Sequence, residues 1–135
     1  MVKFIIGEKG SGKTKEMIDQ ANKLSCEAKG SVVFIDKNRN HIYDLDKSIR
    51  LVETEEFSIE TTRSFYGFIC GLISQNFDIE VIFIDNQKQI DEADNENITD
   101  MVKGLETLSS KFGVNFIISI SRSEKNIPDF LKKYF

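Results

Sequence analysis

The sequence predicts an α/β fold, a three-layer α/β/α sandwich around a mostly parallel five-stranded sheet. Short apolar runs alternate along the chain with segments in which apolar residues recur every three or four positions, the period of a helix. Two of the runs, residues 32–35 and 81–84, are apolar at every position, which favours strands buried on both faces of a parallel sheet. Strands that alternate with helices pair in parallel through right-handed crossovers.

The first half of the chain supplies three strands and two helices. The strands are predicted at residues 2–6, 31–36 and 49–52. Between the first two, the spacing of apolar residues predicts a helix that ends near Gly30. A longer helix is predicted from Ser58, its expected N-cap, to about Asn76.

The second half supplies two more strands and two more helices. The strands are predicted at residues 81–85 and 115–120, and the helices at residues 98–112 and from Pro128 to Phe135. Gly113 is expected to end the longer of these helices. Residues 86–97 are polar and acidic and predict a loop or a loose turn of helix.

Length and composition limit the classes of protein. A chain of 135 residues predicts one domain over residues 1–135, and 40% hydrophobic with 30% charged residues is typical of a globular protein. Because the net charge is −4, the chain is not expected to bind nucleic acid or an anionic membrane surface. No segment resembles a signal peptide or reaches membrane-spanning length, so a cytoplasmic location is expected. Cys26, Cys70 and His41 are too scattered to predict a zinc site.

The chemistry is concentrated in residues 7–14, between the first strand and the first helix. They match the pattern G-x-x-x-x-G-K-[ST] at every fixed position. In this pattern glycines let the backbone turn tightly, N–H groups face a phosphate, and the helix adds the positive end of its dipole. A lysine reaches the β- and γ-phosphates, and a hydroxyl binds Mg²⁺. The predicted nucleotide-binding residues are Gly7, Glu8, Lys9, Gly10, Ser11, Gly12, Lys13 and Thr14.

Two other interpretations of this segment are weaker. The dinucleotide-binding pattern G-x-G-x-x-G fits Gly10 and Gly12, but its third position falls on Lys15. A glycine-rich turn that carries a lysine by coincidence would not need a strand before it and a helix after it, and both are predicted here.

On these residues the chain resembles the P-loop NTPase superfamily, whose Walker A motif the sequence GEKGSGKT matches. It is also similar to small bacterial P-loop ATP-binding proteins. The resemblance implies a P-loop NTPase fold, ATP or another nucleoside triphosphate as ligand or substrate, and Mg²⁺ as cofactor. It also implies that Lys13 is a catalytic residue and that Thr14 is a metal ligand.

The resemblance further implies a Walker B acid that binds Mg²⁺ at the end of a strand. Asp85 follows the apolar run 81–84, and it is the preferred metal ligand because the Walker B strand usually comes later in the chain. Asp36 follows the run 32–35 and is the alternative, with a solvated aspartate as its ordinary interpretation.

The chain departs from the superfamily after Asp85. Many members that hydrolyse ATP carry a glutamate next to the Walker B aspartate, where this chain has Asn86 and Gln87. Gln87 is a weak catalytic candidate for orienting water, with a surface glutamine as the alternative, and Asp91 and Glu92 are further stand-ins. Hydrolysis is therefore expected to be slow. No Asn-Lys-x-Asp guanine-reading motif is present, which leaves adenine as the default base.

Three functions follow from these residues. The main prediction is a Mg²⁺-dependent protein that binds a nucleoside triphosphate and hydrolyses it slowly. The alternatives are a nucleotide-sensing switch or binding module without significant catalysis, and a small-molecule kinase. A protein partner is compatible with each function, but the sequence identifies none.

Overall fold

All five predicted strands are present in the computed structural model, which describes residues 1–134. The strands are β1 (Val2–Gly7), β2 (Ser31–Asp36), β3 (Arg50–Glu53), β4 (Ile79–Ile84) and β5 (Asn115–Ser121). They form one sheet in the order β1-β5-β4-β2-β3, and every neighbouring pair is parallel. The α/β fold with a five-stranded parallel sheet is therefore confirmed.

Four α-helices connect the strands. They are α1 (Lys13–Glu27), α2 (Thr62–Gln75), the single turn α3 (Lys88–Asp91) and α4 (Asn95–Phe112). Gly113 ends α4 with a left-handed backbone, φ 71°, as the sequence predicts. Among residues 1–134, every helix falls short of the length and apolarity needed to cross a lipid bilayer.

The sheet is buried on both faces, which explains the uninterrupted apolar runs. Alternate side chains of a strand point to opposite faces. Phe34 and Phe83 pack with α1 on one face, where their rings stack with centroids 5.9 Å apart. Ile35 and Ile84 pack with α2 and α4 on the other face. The result is the predicted three-layer arrangement of helix, sheet and helix.

Two predicted helix positions are wrong. Ser58 does not cap α2, because its backbone is left-handed (φ 51°) and follows a 3₁₀ turn at Glu55–Phe57. The cap is Thr61, whose side chain accepts a hydrogen bond from the Ser64 N–H while the Ser64 hydroxyl accepts one from the Thr61 N–H. This reciprocal pair satisfies two backbone N–H donors at the start of α2.

The C-terminal segment is also not the predicted α-helix. Residues Asp129–Tyr134 form 3₁₀ turns after Pro128, and they bury Leu131 and Tyr134 against the α2–α4 face. The Tyr134 and Phe4 rings pack edge to face, with their centroids 6.2 Å apart. The predicted position of Phe135 in this segment lies outside the described residues.

The carboxyl ends of the parallel strands meet at one edge of the sheet. Gly7 ends β1, Asp36 ends β2, Asp85 follows β4, and Ser121 ends β5. In open parallel sheets this edge is where ligands bind. The fold therefore brings the sequence-predicted residues to one place.

Candidate functional site

Residues 7–14, called here the glycine loop, connect β1 to α1 with the backbone that its glycines permit. Gly10 and Gly12 have φ values of 81° and 90°, a region that other residues enter only with strain. A Cβ atom at Gly7 would lie 2.3 Å from the Ser11 Oγ, so a side chain at this position would require the Ser11 side chain to move. The geometry of the loop thus depends on its glycines.

The N-terminus of α1 opens directly from the loop. Gly12 is the residue before the helix, and no side chain caps the first helical N–H groups. Such groups bind anions because they lack intrahelical acceptors and carry the positive end of the helix dipole. Lys13 is mostly buried, and its Nζ donates to the Glu8 carbonyl oxygen at 2.9 Å. The lysine therefore folds back over the loop.

Thr14 joins the glycine loop to the end of β4. Its Oγ1 donates to the Asp85 Oδ2 at 2.7 Å. The Ser119 hydroxyl of β5 donates to the other oxygen of Asp85, and the Asn86 amide donates to Oδ2 at 3.2 Å. Only 1% of Asp85 is exposed, so these donors compensate for the water that its carboxylate loses. The residues brought together are those predicted to bind Mg²⁺.

Asp36 lies at the end of the neighbouring strand, and its carboxylate accepts hydrogen bonds from neither Thr14 nor the rest of the glycine loop. It is also 1% exposed, so the interpretation as a solvated aspartate is wrong. One oxygen accepts from the Lys37 N–H at 2.7 Å and from the Asn86 amide at 3.1 Å. The other is buried without a hydrogen-bond partner among residues 1–134. Burial raises the pKa of Asp36, and the nearby Asp85 adds to the rise, while the two donors oppose it.

Gln87 is not a surface residue. Only 2% of it is exposed, and its Nε2 donates to the Asp85 carbonyl oxygen at 2.9 Å. Its Oε1 accepts a hydrogen bond from Gln89 at 2.8 Å. Both ends of the amide are therefore engaged within the protein. Before Gln87, the backbone of Asn86 turns left-handed with φ 54°, which aims its amide between Asp36 and Asp85.

The segment 88–93 is fastened to the end of β5. Asp91 accepts from the Ser121 N–H at 2.8 Å. Arg122 donates to the carbonyl oxygens of Ile90, Asp91 and Ala93. The guanidinium group is thus committed to the backbone of this segment. These contacts link residues about thirty positions apart, and no local pattern in the sequence indicates them.

Sequence reasoning also missed Ser119. The only local signal is one hydroxyl residue within the otherwise apolar stretch 116–120 of β5. Because β5 lies between β1 and β4, its side chain sits beside Asp85. A polar residue in a buried strand is therefore worth examining as a partner for an acid at the same edge.

The glycine loop and the segment after β4 line a cleft of about 1150 Å³. One wall consists of Lys9, Gly10, Gly12, Lys13 and Thr14. Opposite it lie Lys37, Thr54, Glu55, Ser58 and Ile59, and between the two walls lie Asn86, Gln87, Lys88, Gln89, Asp91, Glu92 and Ser121. Pockets for small ligands usually measure about 300–1,000 Å³, so the cleft has room for a nucleotide.

The oxygen groups at this edge of the sheet suit Mg²⁺. Thr14 lines the cleft and donates to the buried Asp85 carboxylate, and the Asn86 amide, also in the lining, links that carboxylate to the buried carboxylate of Asp36. Mg²⁺ prefers oxygen ligands, usually one or two carboxylates with phosphate oxygens and water. The residues present therefore fit the cofactor that the resemblance implies.

Comparison with known proteins supports the fold. No protein-family model matches the sequence, and no curated protein matches it significantly. The structure is similar to that of the flagellar accessory protein FlaH from Methanocaldococcus jannaschii, with a TM-score of 0.66 and 13% identity. The similarity covers 98% of this chain and 65% of the FlaH chain, so the chain spans less than two thirds of that protein. At this identity the likeness is one of fold, a P-loop NTPase-like α/β sandwich.

Proposed function

We propose that this chain binds a nucleoside triphosphate, ATP by preference, together with Mg²⁺ and hydrolyses it slowly. The observation that carries the proposal is the 2.7 Å hydrogen bond between Thr14 and Asp85. It joins a loop with the backbone form of a phosphate cradle to the acid at the end of a buried strand. A small-molecule kinase would need an acceptor site, and no observation in the cleft identifies one.

The glycine loop supplies the phosphate site. Its N–H groups and the uncapped start of α1 bind the phosphate oxygens. Lys13 exchanges the Glu8 carbonyl for a phosphate oxygen, an exchange that replaces a neutral acceptor by a charged one. The ligand thus neutralises a mostly buried ammonium group.

Mg²⁺ would be held by Thr14 and Asp85, with Asp36 as the alternative carboxylate. When bound, the ion neutralises charge on the phosphates. Ser119 and Asn86 orient the Asp85 carboxylate through hydrogen bonds. Such outer partners fix the geometry of a metal ligand.

Slow turnover follows from the groups already committed elsewhere. Gln87 uses its amide within the protein, and Arg122 donates to three backbone carbonyl oxygens. An arginine that contacts the transferred phosphoryl group is worth about 10³–10⁵ in rate in GTPases. We expect intrinsic turnover well below about 1 s⁻¹, the range of unassisted GTPases.

A nucleotide-sensing switch is the second candidate, because residues 86–92 supply much of the cleft lining. A γ-phosphate and Mg²⁺ can order a segment that contacts them. The protease sensitivity of this segment should then differ between the ATP-bound and ADP-bound forms. Equal sensitivity in both forms argues against a switch.

We also propose that the protein is cytoplasmic and of bacterial origin, and that ATP is its preferred nucleotide.

The central experiment combines a ligand screen with one substitution. Thermal shifts with ATP, ADP and GTP, with and without Mg²⁺, identify the ligand, since a ligand at 100 times its Kd stabilises by about 2.7 kcal/mol. Calorimetry then compares Lys13→Ala with wild type. Loss of the charge-assisted contact should weaken ATP binding by about 1.5–3 kcal/mol.

Lys15→Ala is the matched control, because Lys15 is exposed on α1 and the change removes the same charge. It should leave ATP affinity close to that of wild type. Equal ATP affinity in the Lys13 variant and wild type would rule out the proposed phosphate site.

A further inference from the structure

Three side chains near the cleft are candidates for activating the attacking water, and the structure separates them. Gln87 is buried with both ends of its amide engaged. Glu92 is exposed. Asp91 lines the cleft with one carboxylate oxygen on the Ser121 N–H, and the other oxygen accepts no hydrogen bond from residues 1–134. We propose that Asp91 is the catalytic base that accepts a proton from the attacking water, an inference that rests on the proposed hydrolysis.

Asp91 is held as a positioned catalytic group would be. Its carboxylate is fixed by the Ser121 N–H at the end of β5. Its backbone is fixed by Arg122, whose Nε donates to the Asp91 carbonyl oxygen at 3.0 Å. The same guanidinium group donates to the carbonyl oxygens on either side, those of Ile90 and Ala93. A base gains effectiveness from such positioning, because the bound geometry replaces a search for the reactive one.

The charges around Asp91 also suit this role. Lys9 and Lys13 of the glycine loop and Arg122, which follows β5, lie close enough to attract its carboxylate. Burial nevertheless raises the pKa of Asp91, and this effect outweighs the Ser121 hydrogen bond and the three positive charges. A carboxylate with a raised pKa is a stronger base while it remains ionised near neutral pH.

The proposed step is balanced as follows. The oxygen of water forms a bond to the γ-phosphorus as the bond from that phosphorus to the β–γ bridging oxygen breaks. One proton of the water passes to the free carboxylate oxygen of Asp91, and ADP leaves with the electron pair of the broken bond. Lys13 stabilises the charge on the phosphoryl oxygens. Asp91 then releases its proton to solvent through the open cleft.

Asp91→Asn tests the proposal because the amide oxygen can still accept from the Ser121 N–H. Turnover is measured from [γ-³²P]ATP over long incubations, and ATP affinity by calorimetry. General-base catalysis contributes about 10²–10⁴ in rate, so turnover should fall by at least about 100-fold. Affinity should stay the same or rise, because a negative charge near the phosphates is removed. Glu96→Gln is the control, with the same charge change at an exposed residue of α4 that does not line the cleft, and it should retain wild-type turnover.

Chemical rescue separates a base from a structural residue. Formate added to Asp91→Ala should restore part of the lost turnover in proportion to its concentration, which a purely structural defect does not allow. Wild-type turnover in Asp91→Asn, or loss without any formate rescue in a folded Asp91→Ala, would overturn the proposal. Absence of ATP binding by the wild-type chain would instead defeat the proposed function, so the two failures are distinguishable.

Discussion

The ends of β4 and β2 carry two aspartates that resemble each other in sequence and differ in surroundings. Each follows an apolar strand, and each is 1% exposed. Asp85 accepts hydrogen bonds from three side chains, those of Thr14, Ser119 and Asn86. The Asp36 carboxylate accepts one from the Asn86 side chain and one from a backbone N–H, and its second oxygen has no hydrogen-bond partner within residues 1–134. Equal burial therefore does not mean equal electrostatic cost.

The difference arises from strand order. β5 lies between β1 and β4, so its polar side chain and the start of α1 both reach Asp85. β2 lies farther from β1, beyond β4, and none of the donors from the glycine loop reaches Asp36. The Asn86 amide is the side-chain link between the two carboxylates. The position of a strand in the sheet thus decides which acid meets the loop.

The largest expected effect concerns Mg²⁺. Asp85→Asn removes a charged candidate ligand while keeping the size of the side chain. Loss of a residue that only supports a metal ligand already costs about tenfold or more in metal affinity, so the Mg²⁺-dependent part of ATP affinity should fall at least about tenfold. Asp36→Asn should change it less. Calorimetric titration of ATP at several Mg²⁺ concentrations measures both. A larger loss in Asp36→Asn would transfer the metal site to the end of β2.

The sequence alone predicts the two strand-end aspartates, but it does not predict the contacts that distinguish them. The fixed residues of the glycine loop and the apolar runs predict the loop, the strands and both strand-end acids, because these features depend on local backbone and burial preferences. The choice between Asp85 and Asp36 depends on strand order, which local patterns do not encode. The Asp91 contact with Ser121 likewise joins residues about thirty positions apart. Sequence patterns therefore predicted the parts of the candidate site and not the contacts between them.

A second expected effect concerns pH. The folded-state pKa of Asp36 is raised above its ordinary value of 3.8, so the folded protein binds the proton more tightly than the unfolded chain. Its contribution to stability is then fully present below pH 3.8 and is lost as the pH rises through the folded-state pKa. One such group changes the free energy of unfolding by at most about 1.36 kcal/mol per pH unit.

The free energy of unfolding of the wild type should rise as the pH is lowered through the folded-state pKa of Asp36, and Asp36→Asn should lack this rise. Urea denaturation across this pH range measures both. Asp91 has a raised pKa as well, but it is present in both proteins and cancels from the difference. Asp46→Asn is a control of opposite sign, because hydrogen bonds from Ser48 lower the pKa of Asp46 and its contribution is lost on acidification. Parallel pH profiles for wild type and Asp36→Asn would show that the buried carboxyl group of Asp36 does not influence stability.

The smallest expected effect concerns Asn86, which links the two acids from a left-handed backbone with φ 54°. Asn86→Gly and Asn86→Ala both remove the bridging amide, but only alanine places a Cβ at this backbone angle. Alanine should therefore be the less stable variant by about 1 kcal/mol in urea denaturation. Because the Asn86 hydrogen bond opposes the rise in the pKa of Asp36, the glycine variant should also gain stability on acidification over a wider pH range than wild type. A glycine variant no more stable than the alanine variant would show that the left-handed backbone is not the reason for asparagine here. An unchanged pH range would show that the amide does not couple the two carboxylates.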